Sequence, residues 1–214
     1  MAMKSDVEVI TGFIGSGKTS FLNALIEGTL HKDERIVIIF LESGATELDE
    51  RLMKRNQIKK IGYFIDNEFT ENELKKILRI YNPHKVFIEF NGTGNINELL
   101  KIINCKEIKP LCKITTIYYV AEAATLELYL SNMGNILVPC VQLSNLVLIN
   151  NTKELSANKV DKLKEIIEKY NPYVNILEVN EIADMKGIVD ESNLFHKGLL
   201  KKWDMFFKSI FEKL

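Results

Sequence analysis

The chain reads Gly12-Phe13-Ile14-Gly15-Ser16-Gly17-Lys18-Thr19 near its start. These residues match the spacing G-x-x-x-x-G-K-[ST], in which a glycine-rich turn joins a strand to a helix. Residues 7–11 are strand-like before the turn, and residues 19–26 follow it with the apolar spacing of one helix face. This context predicts a phosphate-binding loop, here called the P-loop (residues 12–19), with backbone amides aimed at an anion.

Each residue type in the P-loop has a chemical reason. Glycines adopt backbone angles that other residues avoid, so the loop can turn its amides inward. Lys18 supplies a positive charge for the β- and γ-phosphates of a nucleoside triphosphate, and the Thr19 hydroxyl is a suitable ligand for Mg²⁺. The residues expected to bind nucleotide here are Gly12, Gly15, Ser16, Gly17, Lys18, Thr19 and Ser20.

A P-loop needs an acidic partner for its metal at the end of a neighbouring strand. Glu42 and Glu89 each end an apolar run, and both would stand at the carboxyl edge of a parallel sheet. We predict that both act with Lys18 in catalysis and with Thr19 in holding Mg²⁺; the alternative for each is an ordinary solvated carboxylate. Gly92, just after Glu89, is expected to sense the γ-phosphate through its backbone N–H.

Apolar runs alternate with helix-patterned charged segments along the rest of the chain. Continuous apolar strands are typical of a parallel sheet that is covered on both faces. We predict an α/β fold with a doubly wound, mostly parallel sheet and helices on both faces. The predicted strands are residues 7–11, 35–41, 61–65, 85–90, 114–120, 145–150 and 174–179. The predicted helices are residues 18–28, 70–81, 96–103, 123–133 and 158–170.

Residues 1–180 are expected to form the nucleotide-binding domain, and residues 181–214 a helical tail. Within that tail, apolar residues recur at helical spacing, which predicts a C-terminal amphipathic helix. This stripe comprises Trp203, Phe206, Phe207, Ile210, Phe211 and Leu214. The helix could pack on the sheet, dock to a protein partner or, because lysines flank it, contact a membrane surface.

Composition limits the partners and the compartment. The chain has 28 basic and 29 acidic residues, a net charge of −1, so we expect no nucleic-acid partner. The three cysteines are widely spaced and odd in number, which favours a reducing compartment over a disulfide framework. No apolar run approaches the roughly 20 residues of a spanning helix, and no signal peptide is evident. These features predict a cytoplasmic protein.

Several segments together resemble the CobW-type GTPases, a metallochaperone group related to the nickel-insertion GTPases. Residues 11–23, Thr-Gly-Phe-Ile-Gly-Ser-Gly-Lys-Thr-Ser-Phe-Leu-Asn, are similar to that family's T-G-F-L-G-[AS]-G-K-T-T-L-L-N. Residues 42–44 resemble part of its N-E-F-G, residues 88–92 its E-[TS]-[ST]-G, and residues 148–155 its L-N-K-x-D-L. The resemblance covers about residues 7–180. It implies Mg²⁺-dependent GTP binding, with Asn150 in the base-reading segment, and closure of a homodimer around the nucleotide.

This sequence departs from the family pattern in three places. The C-x-C-C metal motif expected between Asp49 and Glu73 is absent, because that stretch contains neither Cys nor His. The base-reading N-K-x-D is Asn150-Asn151-Thr152-Lys153 here, so a cation replaces the carboxylate that accepts from guanine. GTP and ATP both remain open as ligands. Residues 181–214 are also too few for the second domain that the family usually carries.

The leading functional hypothesis is a slow Mg²⁺-dependent NTPase that acts as a switch in metal-cofactor or protein assembly, through a homodimer or a protein partner. The alternative is a nucleotide sensor that does not hydrolyse and that docks a partner through its C-terminal helix. A small-molecule kinase ranks last, because such enzymes usually cover the transferring phosphate with an arginine-rich lid. The chain has only four arginines, and none of them clusters in a plausible lid.

Overall fold

The computed structural model describes residues 4–31, 33–42, 48–55, 57–63 and 69–191. These residues form a seven-stranded sheet in the order β3-β2-β4-β1-β5-β6-β7, and every strand pair in it is parallel. The strands are β1 (Ser5–Thr11), β2 (Ile36–Phe40), β3 (Ile58–Gly62), β4 (Lys85–Glu89), β5 (Cys112–Glu122), β6 (Leu146–Asn150) and β7 (Asn175–Glu178).

Helices cover both faces of this sheet. They are α1 (Lys18–Thr29), α2 (Glu50–Met53), α3 (Glu71–Tyr81), α4 (Ile96–Asn104), α5 (Leu126–Leu143), α6 (Ala157–Tyr170) and α7 (Met185–Glu191). Apolar side chains of α3, α4, α5 and α6 form one buried layer. Those of α1, α2 and α7 form the other. The predicted fold class, a doubly wound α/β sheet, is therefore confirmed.

The centre of the sheet explains where a ligand would bind. Strand β1 lies between β4 and β5, and its residue Ile10 is in register with Glu89 on one side and Tyr118 on the other. The helix that follows β1 (α1) and the helix that follows the neighbouring strand β4 (α4) cover opposite faces of the sheet, which leaves a crevice at the carboxyl edge. The P-loop, the end of β4 and the end of β5 therefore meet there.

Two predicted elements are corrected by the structure. Strand β3 spans Ile58–Gly62 and not residues 61–65, of which the last two lie outside the described residues. It is an edge strand with exposed Lys59 and Lys60, a feature that guards sheet edges. These two lysines lie before the apolar run 61–65 used for the prediction, so that run misses the first half of the strand. Helix α5 continues to Leu143, beyond the predicted end at residue 133.

Helix α5 has a break where the prediction ended. Met133 has non-helical backbone angles, φ −125° and ψ 26°, and a second helical segment follows it. Pro139 lies in that second segment, two turns or less from the break. Because a proline lacks an amide to donate, Pro139 removes one helical hydrogen bond from this second segment.

The chain after residue 180 returns to the sheet. Met185 and Val189 of α7 are buried in the same apolar layer as α1, and Lys186 pairs with Glu27 of α1 at 2.8 Å. Residues 181–191 therefore pack against the nucleotide-binding domain. The predicted amphipathic helix lies within residues 192–214, outside the described residues.

Candidate functional site

The P-loop ends where α1 begins. Gly17 caps the helix with φ 97°, a left-handed conformation that glycine adopts without strain, and Lys18 is the first helical residue. The amides of the first turn of a helix have no partner within that helix, so the start of α1 is suited to bind an anion. Ser20 lies half-buried in that first turn.

Neighbouring backbones approach the P-loop too closely for a side chain. A Cβ on Gly12 would lie 2.1 Å from the carbonyl oxygen of Val120 in β5. A Cβ on Gly92, in the loop after β4, would lie 2.2 Å from the carbonyl oxygen of Gly12. Glycine at both positions therefore allows β5 and the loop after β4 to pack closely against the P-loop from two sides.

Lys18 is already occupied by protein atoms. Its Nζ donates a 3.0 Å hydrogen bond to the carbonyl oxygen of Phe13 and lies 2.9 Å from Oε2 of Glu42. Both side chains are buried, with 5% and 8% of their surfaces exposed. The second contact is an ion pair without hydrogen-bond geometry, because Oε2 of Glu42 has no hydrogen-bond partner among the described residues.

Thr19 and Glu89 join the P-loop to β4. Oγ1 of Thr19 donates a 2.9 Å hydrogen bond to Oε1 of Glu89, whose other oxygen is buried and has no hydrogen-bond partner in the described chain. Burial raises the pKa of Glu89 above its usual range, while the Thr19 hydrogen bond and the charge of Lys18 oppose that rise. One hydroxyl and an unsatisfied buried carboxylate oxygen form the hard donor set that suits Mg²⁺.

Asn150 ties β6 to the P-loop. It is fully buried, and its Nδ2 donates a 3.2 Å hydrogen bond to the carbonyl oxygen of Ser16. The hydroxyl of Ser16 is also buried and has no hydrogen-bond partner within the described ranges. This arrangement places the segment predicted to read the base next to the segment predicted to bind phosphate.

The base-reading segment differs in structure as well as in sequence. Asn151 adopts a left-handed conformation with φ 58°, and its Nδ2 donates to Oε2 of Glu122 at 2.8 Å. Lys153 forms an exposed ion pair with Glu181, in the loop after β7. That pairing raises the pKa of Lys153. The cation that replaces the expected carboxylate is thus neutralised by an acid from the neighbouring loop.

The structure brings all the predicted site residues to one edge of the sheet. They are Gly12, Gly15, Ser16, Gly17, Lys18, Thr19, Ser20, Glu42, Glu89, Gly92 and Asn150. Sequence reasoning missed Glu122, although it ends β5 just as Glu89 ends β4, so the same strand-end rule identifies it. It also missed the packing of Met185 against Gly17, for which the sequence carries no local signal.

A small cavity of about 140 Å³ opens beside the P-loop. P-loop residues line one side, and Glu122, Thr125 and Tyr129 line the other. The rings of Phe13 and Tyr129 pack at 4.3 Å between centroids. The P-loop is thereby anchored to the start of α5 as well as to the sheet.

Among residues 4–31, 33–42, 48–55, 57–63 and 69–191, no group of three or more His, Cys, Asp or Glu side chains is arranged to hold a metal ion. Over the same ranges, no helix combines the length and apolar character needed to cross a membrane.

The family model described as the CobW/HypB/UreG nucleotide-binding domain matches residues 6–178. A curated relative, the zinc-regulated GTPase metalloprotein activator 1 of Dictyostelium discoideum, is 23% identical over 254 aligned positions. That alignment covers 93% of this chain and 52% of the relative, so the chain spans about half the length of the relative.

Solved structures with the same fold carry related names. The Zn(II)-bound YjiA GTPase of E. coli superposes with a TM-score of 0.61 at 17% identity, over 81% of this chain and 57% of that one. The hydrogenase maturation factor HypB of Archaeoglobus fulgidus gives 0.54 at 18% identity, over 98% and 91%. At these identities the likeness establishes the fold.

Proposed function

The chain belongs to the CobW/HypB/UreG nucleotide-binding family, and on this basis we propose that it is a slow Mg²⁺-dependent NTPase. In this proposal, nucleotide binding and hydrolysis switch the chain between two states during assembly of a metal cofactor or a protein. The nucleotide is GTP or ATP, held at the P-loop.

The observation that carries the proposal is the contact between Thr19 and Glu89. A hydroxyl at the start of α1 and a carboxylate at the end of β4 lie 2.9 Å apart, and one carboxylate oxygen is buried without a hydrogen bond. A buried acid left unsatisfied is costly unless a ligand uses it. This pair supports a divalent cation held beside the phosphates.

The other residues bind and orient the phosphates. Amides of the P-loop and of the first turn of α1 surround them, and Lys18 supplies the balancing charge. Mg²⁺, when bound by Thr19 and Glu89, would neutralise charge that builds up on the phosphates during transfer. Glu42, whose Oε2 lies 2.9 Å from Nζ of Lys18, orients the metal and the attacking water in this proposal.

In this proposal, the preference for guanine or adenine depends on the base-reading segment, residues 150–153, which starts at the last residue of β6. A carboxylate at position 153 would accept from N1 and N2 of guanine, whereas Lys153 donates only and is paired with Glu181. We therefore propose that this chain discriminates weakly between GTP and ATP. Asn150 contributes by holding this segment against the P-loop.

The cargo and partner are proposed from the family alone. The named relatives include a zinc-regulated activator and a HypB in complex with nickel, and neither name carries over to this chain without a test. Residues 50–72 contain no Cys or His, so thiolate capture of a soft metal in that stretch is not part of the proposal. We propose instead that a homodimer or a protein partner completes the working assembly, in the reducing cytoplasm that the dispersed cysteines favour.

Calorimetry on the purified chain tests the proposal. Titration with GTP and with ATP in Mg²⁺ should show binding to the wild type and none to Lys18→Ala, since that substitution removes the phosphate counter-charge. Unchanged affinity in Lys18→Ala would refute the phosphate site. Phosphate release then separates the switch from a sensor that does not hydrolyse: the switch releases phosphate slowly alone and faster with its partner.

A further inference from the structure

The ion pair between Lys18 and Glu42 sets up a competition at the phosphate site. Nζ of Lys18 is 2.9 Å from Oε2 of Glu42 and is also bonded to the carbonyl of Phe13. Little of either side chain reaches solvent. The charge that should meet the phosphates is therefore already balanced by a carboxylate of the same chain.

We propose that Glu42 masks Lys18 until a divalent cation draws the carboxylate away, so that metal and nucleotide bind cooperatively. This inference rests on the proposed function, because it assigns a regulatory role to residues of the same site. The two side chains exchange partners: Glu42 leaves Lys18 for the cation, and Lys18 then binds the phosphates.

The two acids of the site are held differently. Glu89 receives a hydrogen bond from Thr19, which fixes its carboxylate. Glu42 is held through Oε2 by the charge of Lys18, without a hydrogen bond to that atom among the described residues. Glu42 is therefore the acid that can change partner, while Glu89 stays in place.

Electrostatics makes the masked state unfavourable for a bare nucleotide. Phosphate oxygens at Lys18 would lie close to the carboxylate of Glu42, and like charges at such range repel strongly where water is excluded. A cation between Glu42 and the phosphates converts that repulsion into attraction. The pair thus favours the metal-bound nucleotide over the metal-free one.

A substitution that removes only the charge of Glu42 distinguishes this arrangement from a passive ion pair. If Glu42 masks Lys18, Glu42→Gln tightens binding of nucleotide without metal and removes the benefit that metal brings. If Glu42 is only a structural partner, the substitution changes both affinities in the same direction. The decisive result is a gain in nucleotide affinity in EDTA that vanishes or reverses in Mg²⁺.

The matched control is Glu127→Gln. Glu127 lies in the first turn of α5, just after the end of β5, and it is exposed and paired with Lys162. This substitution removes the same unit of negative charge without touching the described contacts of Lys18. Any general attraction of a polyanion to a less negative protein therefore appears equally in both variants.

The experiment is isothermal titration of wild type, Glu42→Gln and Glu127→Gln with GTP and with ATP, in EDTA and in Mg²⁺. We expect Glu42→Gln to bind metal-free nucleotide roughly tenfold tighter than wild type, the effect of about 1.4 kcal/mol. In Mg²⁺ that gain should vanish or reverse, and Glu127→Gln should follow wild type in both conditions.

Three results would overturn the inference: no gain in EDTA, an equal gain in Mg²⁺, or the same gain in Glu127→Gln. Circular dichroism checks that each variant is folded. Should Glu42→Gln fail to fold, Glu42→Ala makes the same test, because it removes the same negative charge. If the wild type binds neither nucleotide in Mg²⁺, the proposed function falls as well. If the wild type binds, and the gain is absent in EDTA or equally large in Mg²⁺, only the masking falls.

Discussion

Oγ1 of Thr19 donates a 2.9 Å hydrogen bond to Oε1 of Glu89, linking the first turn of α1 to the last residue of β4. The motif residue and the acidic residue are distant in sequence, and the parallel register of β1 and β4 brings them together. This contact ties the phosphate cradle to the acid that would hold a metal. It is the basis of the first prediction.

Replacing Thr19 with Val removes the hydroxyl and keeps the size of the side chain. We expect Mg²⁺-dependent nucleotide affinity to fall by about 10- to 100-fold, or about 1.4–2.7 kcal/mol, because one metal ligand is lost. Affinity in EDTA should change much less. Calorimetry in the two buffers measures the difference.

Thr29→Val serves as the control at the other end of α1. Its hydroxyl donates to the carbonyl oxygen of Leu25, within the helix and away from the P-loop. Equal losses in both variants would mean that the Thr19 effect is a helix effect and not a metal effect.

The ionisation of the buried Glu89 is expected to lower the stability of the fold by an amount that depends on pH. Burial raises its pKa above the ordinary value of 4.5, so the folded chain holds this proton more tightly than the unfolded chain. The unfolding free energy contributed by Glu89 therefore falls as pH rises from the ordinary pKa through the raised one. At neutral pH, without nucleotide, Glu89→Gln should unfold at a higher temperature.

The expected gain is a few degrees, since about 1 kcal/mol shifts the melting temperature of a chain this size by about 2–4 °C. The gain should shrink as pH is lowered through the same window. Glu127→Gln is the control, an exposed glutamate paired with Lys162. A gain that is independent of pH would assign the effect to something other than ionisation of Glu89.

Much of this site can be predicted from sequence because the motif is local. Spacing alone places Lys18 and Thr19 on a helix that begins at Lys18, and apolar runs place Glu42 and Glu89 at strand ends. Buried parallel strands can be recognised in the sequence by their continuous apolar residues. The edge strand β3 cannot be recognised in this way, because the exposed Lys59 and Lys60 interrupt its apolar pattern.

Contacts between distant segments have no such signal. The pairing of Lys18 with Glu42 and of Asn151 with Glu122 depends on side-chain reach across the sheet edge. The return of α7 to α1 depends on a short apolar surface, Met185 and Val189, that is too brief to show helical periodicity. Tertiary packing decides these features, so the sequence alone leaves them open.

The preference for GTP over ATP is expected to change when Lys153 is replaced. Lys153→Asp restores a carboxylate at the fourth position of the base-reading segment, where it can accept from N1 and N2 of guanine. Because the new acid would face Glu181, the test uses the double variant with Glu181→Gln. We expect preference for GTP over ATP to rise by roughly tenfold.

Competition titrations of GTP against ATP measure that ratio. Glu181→Gln alone is the control, since it breaks the ion pair with Lys153 and adds no acceptor. If the single variant shows the same preference, the ion pair and not the missing carboxylate governs base choice.

Gly92 predicts a steric requirement at the P-loop. A Cβ at this position would lie 2.2 Å from the carbonyl oxygen of Gly12 and 2.9 Å from the amide nitrogen of Phe13, both backbone atoms. Gly92→Ala must therefore displace either the P-loop or the loop after β4. We expect nucleotide affinity to fall by roughly tenfold or more, with a lower melting temperature.

Gly187→Ala is the matched control, because its Cβ meets nothing within 4 Å and alanine favours the helix α7 by up to about 1 kcal/mol. The control should bind nucleotide as the wild type does and melt at the same or a higher temperature. Retention of full affinity in Gly92→Ala would show that the two loops can separate without cost, and the proposed sensing of the γ-phosphate by Gly92 would then lose its structural basis.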